Sequence, residues 1–416
     1  MKDFWGWLVD NRRIAQIIDF ENKLGIFPIH RSTKFALLTF VGSDHGRAAR
    51  LLSVGMYLLT LDDLQQSGRI YSFPIEKLSI ISPSTKQLPI CRTQRDVEIL
   101  IRAIEGSQPT LAVSPWVGFT SEGSSQLWKE TGGENTIPLY EGKMIHQFDP
   151  SFATYDGVDT RARHDGKPRG VDPTKKNYAP TSRFYAEKSE VIKFLARRRV
   201  TSSWICVYRD YVRATDQRTA IAATVPMTVP IQPLNGFSIP QGSAAMHAWA
   251  LAAINSFAYD FLARQKTPGQ HFNVTIMSQI PIPEPHSDWL SFVLERVVEL
   301  CYTIPGLAGF ASEIGVYGGP FVWNEARRMA IRCELDSLFF HQYALSSDDV
   351  EYIMESFPII KRMDIDSYGF YRTKETILEI YGKMAEAVHA GLPYQTILDP
   401  PPGHGPRHPG RVGEST

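Results

Sequence analysis

The stretch from Met246 to Ala263, MHAWALAAINSFAYDFLA, sets the first constraint on this chain. A helix this apolar must be hidden on nearly every side, in a bilayer or at the centre of a core. His247, Asn255 and Asp260 decide between the two. Lipid offers such groups nothing, whereas a core can give each a partner. The segment therefore predicts a buried core helix. The rest of the chain can surround it: 416 residues, 43% apolar and 21% charged, suffice for two or three domains with ordinary cores. Wholesale disorder is excluded. Cys91, Cys206, Cys301 and Cys333 form no CxxC pair, so neither a zinc ribbon nor a disulfide framework is indicated. Reduced thiols in a cytoplasm are expected. The opening MKDFWGWLVDNRR lacks the basic-then-apolar pattern of a signal peptide.

Local patterns predict α/β and α+β organisation. Ile14 to Phe20 and Lys34 to Val41 are continuous apolar runs, read as two strands covered on both faces, with Met1 to Arg13 the end of a preceding helix. A domain that opens this way looks truncated. LLTLDDLQQSGRI reads as a helix, IEKLSIISPST as a strand ending at Pro83, and DVEILIRAIE as a short helix with Thr93 as its N-cap. KMIHQFD, SRFYAEK and WICVYRDYV are short strand candidates in a loop-rich region, and Asn273 to Ile282 reads as another strand. Ser287 to Tyr302, Phe321 to Ala344 and Thr373 to Ala390 show helical periodicity. A further helix opens at SSDDVE, capped by Ser346 or Ser347. PPPGHGPRHPGRVGEST, after Asp399, reads as a disordered tail.

The 44 basic and 44 acidic residues cancel, but unevenly. Between Arg161 and Arg199 stand twelve Lys or Arg against four acids, a net +8: Arg161, Arg163, Lys167, Arg169, Lys175, Lys176, Arg183, Lys188, Lys193, Arg197, Arg198 and Arg199. From Ser287 to Asp399 nine basic residues face seventeen acidic ones, a net −8. A basic stretch interleaved with Tyr178, Phe184 and Tyr185 has the electrostatic footprint of a nucleic-acid surface, and also the composition of a solvated loop.

Three local groupings carry possible chemistry. Glu141 and Lys143 stand as E-x-K and, with Glu134, mimic a metal-dependent nuclease site, against the simpler reading of an alternating strand. His146 reads as a ligand, a base or a structural residue. Arg209, Arg213 and Arg218 are suited to phosphate or guanine, or to internal pairs with Asp210 and Asp216. Arg264 and Lys266 follow the apolar helix, where they can meet phosphates or the helix dipole. There is no Gly-rich phosphate loop, G-x-S-x-G elbow, HExxH, F-x-G-x-G or Asn/Asp-Pro-Pro-aromatic motif.

Several longer segments, in order, resemble the C-terminal portion of type IIG and BREX-type adenine-specific DNA methyltransferases. They are IIDFENKLGIFPIHRSTKFALLTF, YEGKMIHQFDPSFATYDG, YRDYVRATDQRTAIAATVP, NSFAYDFLARQKTPGQHFN and, near the end, RCELDSLFFHQYALSSDDVEYIMESFPIIKR with YGFYRTKETILEIYGKMAEA. The resemblance implies the terminal strands of a Rossmann-like methyltransferase sheet over 1–45, a mixed α/β DNA target-recognition domain over 46–285, a helical region over 286–398 and a tail over 399–416. It implies double-stranded DNA as partner, with Lys143, Arg161, Arg163, Arg169, Lys175, Lys176, Arg197, Arg198, Arg199, Arg209, Arg213, Arg218, Arg264 and Lys266 as candidate contacts. It implies no catalytic residue, metal or cofactor in this chain. S-adenosylmethionine would belong to a separate catalytic half, because N6 methylation needs a flipped adenine held by the missing motif beside the donor. A metal-dependent nuclease and a non-catalytic interaction subunit are the alternatives.

Overall fold

The computed structural model describes residues 2–42, 50–160, 166–172 and 178–409. The architecture is mixed α/β, with several sheets and a C-terminal cluster of helices. Contacts group residues 1–106 with 264–268, and 107–263 with 269–416.

The first unit contains α1 (Lys2–Asp10), β1 (Ile14–Glu21), β2 (Lys34–Phe40), β3 (Leu51–Leu58), β4 (Tyr71–Pro74), α2 (Leu78–Ile81) and α3 (Gln94–Gly106). Its sheet order is β2-β1-β3-β4, with β1 antiparallel to β2 and parallel to β3. Ile14, Ile17, Ile18 and Phe20 are buried because β1 lies inside the sheet. Burial of β2 on both faces is not observed. It is an edge strand, and Leu37, Leu38 and Phe40 are 57%, 47% and 48% exposed. A flat apolar edge invites pairing with another chain. Leu38→Lys is therefore expected to reduce self-association and apolar-dye binding while leaving circular dichroism unchanged. A parent chain that is monodisperse and silent to the dye would contradict this.

Two local expectations fail here for identifiable reasons. LLTLDDLQQSGRI forms only one short 3-10 turn, Asp62–Gln65, opened by the Asp63 carboxylate, which accepts the Leu59 and Thr60 N–H groups at 2.6 and 3.1 Å. IEKLSIISPST forms helical turns, because buried Ile75, Leu78 and Ile81 recur every three residues. The Thr93 cap is present: its hydroxyl accepts Asp96 N–H at 3.1 Å and its own N–H donates to Asp96 at 3.0 Å.

The second unit begins with small elements: β5 (Ser114–Val117), α4 (Ser121–Ser124), β6 (Thr136–Pro138), β7 (Tyr140–Glu141), β8 (Ala153–Thr154), β9 (Arg169–Gly170), β10 (Tyr185–Glu187) and α5 (Lys188–Ala196). It continues with β11 (Trp204–Arg209), β12 (Ala222–Pro226), β13 (Pro230–Ile231) and β14 (Leu234–Ser238). The main sheet has the antiparallel order β12-β11-β14-β5. Every residue of β11 but the last is buried, because both sheet faces are covered. Ile205 and Val207 join the cluster containing Val191 and Leu195 of α5. Trp204 packs on His247 and Phe310, and Tyr208 on Phe272. Gly236 is required where the Trp116 ring lies over β14: a Cβ there would stand 2.2 Å from the indole.

The helices are α6 (Ala244–Asn255), α7 (Phe257–Lys266), α8 (Val274–Met277), α9 (Ser287–Cys301), α10 (Ala308–Glu313), α11 (Glu325–Gln342), α12 (Ser347–Glu355), α13 (Pro358–Tyr368) and α14 (Arg372–Ala390). The apolar stretch is two helices broken at Ser256, whose hydroxyl donates to Ala253 O and accepts Tyr259 N–H. His247, Asn255 and Asp260 are all engaged. Asn255 bonds both N–H and C=O of Ala222 at 3.0 Å, and Asp260 accepts Arg218 and Thr219 N–H. His247 Nε2 accepts Ile239 N–H at 3.1 Å, which places the proton on Nδ1 facing Ser243 O, and burial lowers its pKa. The strand expected over 273–282 opens as α8, because the Asn273 side chain caps it by accepting Ile276 N–H.

The expected disordered tail is ordered through residue 409. Val322 N–H donates to Pro406 O, Gly403 N–H to Glu299 at 2.8 Å, and Arg407 to Tyr317 O at 2.8 Å. Residues 410–416 lie outside the described residues. All four cysteines are buried thiols. Among the described residues no helix is long and apolar enough to cross a membrane.

Candidate nucleic-acid interface

The basic stretch divides into exposed and structural cations. Lys167, Arg169, Lys188, Arg197 and Arg199 are exposed, with no carboxylate partner among the described residues. Lys193 is exposed and lies 3.8 Å from Glu190 one helical turn earlier, a pair that costs little to exchange. Arg199, three residues past the end of α5, lies in the left-handed region at φ 59°. Arg161, Arg163, Lys175 and Lys176 lie outside the described residues. Of the interleaved aromatics, Tyr178 is exposed, whereas Phe184 packs on Trp128 with ring centres 5.2 Å apart.

Arg198 differs from its two neighbours. Its guanidinium stacks 3.5 Å from the Phe194 ring centre and 5.3 Å from that of Trp116, and donates to Phe194 O and Val117 O at 3.2 and 3.1 Å. Burial lowers its pKa. The run of three thus supplies two surface cations and one that fastens α5 to β5.

The arginines around β11 divide the same way. Arg218 is 5% exposed and bonds Asp260 at 2.7 Å, Asn255 O at 2.5 Å and the face of Phe257. It is a core residue, not a DNA contact. Arg209 donates to Ile145 O and lies over Phe152, and burial draws its pKa down to about 10. It too is committed internally. Arg213 is exposed, and its backbone N–H, not its side chain, meets Asp216 at 2.9 Å. Asp210 serves Asn235 and His271, at 3.1 and 2.8 Å. The anticipated Arg–Asp pairing inside this segment is therefore replaced by longer-range partners.

Lys266 leaves the candidate set as well. It donates to Ile81 O and to Ser82 Oγ at 3.1 Å inside the first unit, and burial lowers its pKa to about 7. Arg264 is half-buried and engaged. Lys143 is exposed on the turn after β7. Glu141 accepts the Tyr155 hydroxyl at 2.8 Å, Glu134 is exposed, and His146 stacks on Phe152 with ring centres 4.9 Å apart. Among the described residues no three His, Cys, Asp or Glu gather as a metal site.

Sequence reasoning missed a cleft of about 630 Å³ in the second unit. α11 offers it Glu325, Met329, Arg332 and Asp336 at helical spacing, and α13 offers Met363 and Tyr368. The loop 146–152 lines it as well. Asp336 accepts Phe257 N–H at 2.8 Å, and burial raises its pKa to about 7. The available clue was an acid inside the apolar helix IRCELDSLFF, a position that is rarely left without a task. No family model matches the chain, and no curated protein matches it.

Proposed function

We propose that the chain is the DNA-binding, target-recognition part of an adenine-specific DNA methyltransferase system. A separate catalytic half, carrying S-adenosylmethionine, would act with it, and β1 and β2, within residues 1–45, would stand as terminal strands of that Rossmann-like sheet. The methyltransferase part of this reading is supported by the sequence resemblance. The DNA-binding part is carried by one observation: exposed cations between Lys167 and Arg199 that have no carboxylate partner among the described residues. Unpaired surface cations gain by displacing counterions from phosphates, a gain already forfeited by cations held in ion pairs.

The expected result is duplex binding whose log affinity falls with log salt by about 0.9 per phosphate contact. Arg197→Ala with Arg199→Ala should weaken binding to all sequences alike and reduce that slope by roughly 2. Arg198 is left intact because it holds Phe194 and Trp116. Affinity that is flat from low to moderate salt would overturn the reading. Methyl transfer to DNA should appear only when a chain carrying the two absent motifs is added.

A further inference from the structure

The cleft in the second unit leaves a buried carboxylate oxygen open. Asp336 lines it from α11, is 5% exposed and gives Oδ1 to Phe257 N–H at 2.8 Å. Among the described residues its Oδ2 takes no hydrogen bond. The charged groups around it are committed. Arg218 is held by Asp260 at 2.7 Å, Arg332 by Glu325 at 2.9 Å, and Arg372 lies over the Tyr368 ring. Asp364 accepts Thr373 N–H at 2.6 Å, and His146 and Asp149 of the loop are both engaged. The two arginines that act on Asp336, Arg218 and Arg332, thus bring counter-charges of their own. In the lining as a whole four carboxylates, Asp149, Glu325, Asp336 and Asp364, stand against three arginines, so the surplus charge is negative. An unpaired carboxylate in a buried place is costly, and burial has raised the Asp336 pKa to about 7. A cation that reached Oδ2 would relieve that cost.

We infer that this cleft binds an organic cation, a protonated amine on an apolar body, with its ammonium group donating to Asp336 Oδ2. The body has walls to meet: Ala326 and Met329 of α11 and Ile360 and Met363 of α13 line the cleft and carry no charge. A volume of about 630 Å³ lies within the usual range of small-ligand sites. A bare divalent ion fits poorly, because it needs several oxygen ligands and among the described residues no three His, Cys, Asp or Glu gather. An anion would meet the surplus negative charge, and a neutral molecule of the same shape would leave the carboxylate unpaired. The inference goes beyond the duplex-binding proposal, and its test contains no DNA.

Calorimetry on the full chain at about pH 8, where Asp336 is ionised and a primary amine protonated, makes the test. The probes are tryptamine, tryptophol and indoleacetate, which share an indole body and end in an ammonium, a hydroxyl and a carboxylate. Tryptamine should bind at least about tenfold tighter than tryptophol, the size of one charge-assisted hydrogen bond to a buried acceptor. Indoleacetate should bind most weakly of the three. Asp336→Asn keeps an oxygen for Phe257 N–H and the shape of the wall, and circular dichroism matching the parent's checks its fold. In that variant tryptamine should lose its advantage, while tryptophol binds as it does to the parent. Met363→Ala removes part of the apolar wall and should weaken tryptamine and tryptophol by the same factor. Equal affinity of the parent for tryptamine and tryptophol would overturn the inference. So would a tryptamine advantage that survives in Asp336→Asn, or a parent chain that binds none of the three.

Discussion

Arg218→Met is expected to lower folding stability by about 3–5 kcal/mol, the usual consequence of removing one partner from a buried ion pair. Arg218 and Asp260 have side chains only 5% and 0% exposed, so water cannot replace the lost contact. After the substitution the Asp260 carboxylate retains Thr219 N–H, while Asn255 O loses its bond from Arg218. Adding Asp260→Leu should recover much of the loss, because two apolar residues remove the uncompensated charge. Arg213→Ala, on an exposed side chain, should change stability by under about 0.5 kcal/mol. Urea denaturation of the three variants checks the set. An Arg218→Met protein as stable as the parent would show that the pair is not what secures α7 to the Thr219 backbone.

Asp336→Asn should act in the opposite direction, by an amount that grows as pH rises from about 4 to about 7. The Asp336 carboxyl is raised to about 7 from an ordinary 3.8, chiefly by burial, with Arg218, Phe257 N–H and Arg332 opposing and Asp260 reinforcing. With the folded value above the unfolded one, the contribution to stability is fully present below about pH 4. It declines as pH rises and is gone above about 7, because the unfolded chain gives up the proton first. Three pH units correspond to about 4 kcal/mol, as an order of magnitude. Asparagine keeps an oxygen for Phe257 N–H and has no charge to bury. The variant should therefore match the parent at pH 4 and exceed it at pH 8. Equal stability of the two proteins at both pH values would contradict this account.

Periodicity made the helices of the second unit legible. Ser287 to Tyr302 and Thr373 to Ala390 bury one repeating face, and the structure places α9 and α14 there within a residue at each end. The central apolar stretch was legible for the same reason, except for its break at Ser256, which depends on local hydroxyl bonds that no period reveals. Strands were harder to read. The run Lys34 to Val41 is apolar like an interior strand, but its place at the sheet edge is decided by β3, far along the chain, pairing with the other side of β1. The arginines were least legible. Arg197, Arg198 and Arg199 are identical in sequence, and only the position of Trp116, some eighty residues earlier, makes the middle one structural. Asp336 likewise becomes a cleft residue because α13 and the loop 146–152 stand opposite it.

The ordered strap over residues 400–409 changes what the end of the helical region means mechanically. Arg327 donates to Pro400 O and Pro401 O while pairing with Glu299, and His408 N–H donates to Pro320 O. Prolines begin with few conformations, so ordering them sacrifices little freedom, and the segment docks with Pro402 buried and Arg407 over the Phe321 ring. It works as a tie across α9, α11 and the loop before α11. A protease cut near residue 398 would slacken that tie and leave the Glu299–Arg327 pair with less to hold it. Trimming at the point where composition turns proline-rich thus alters the spacing of two core helices.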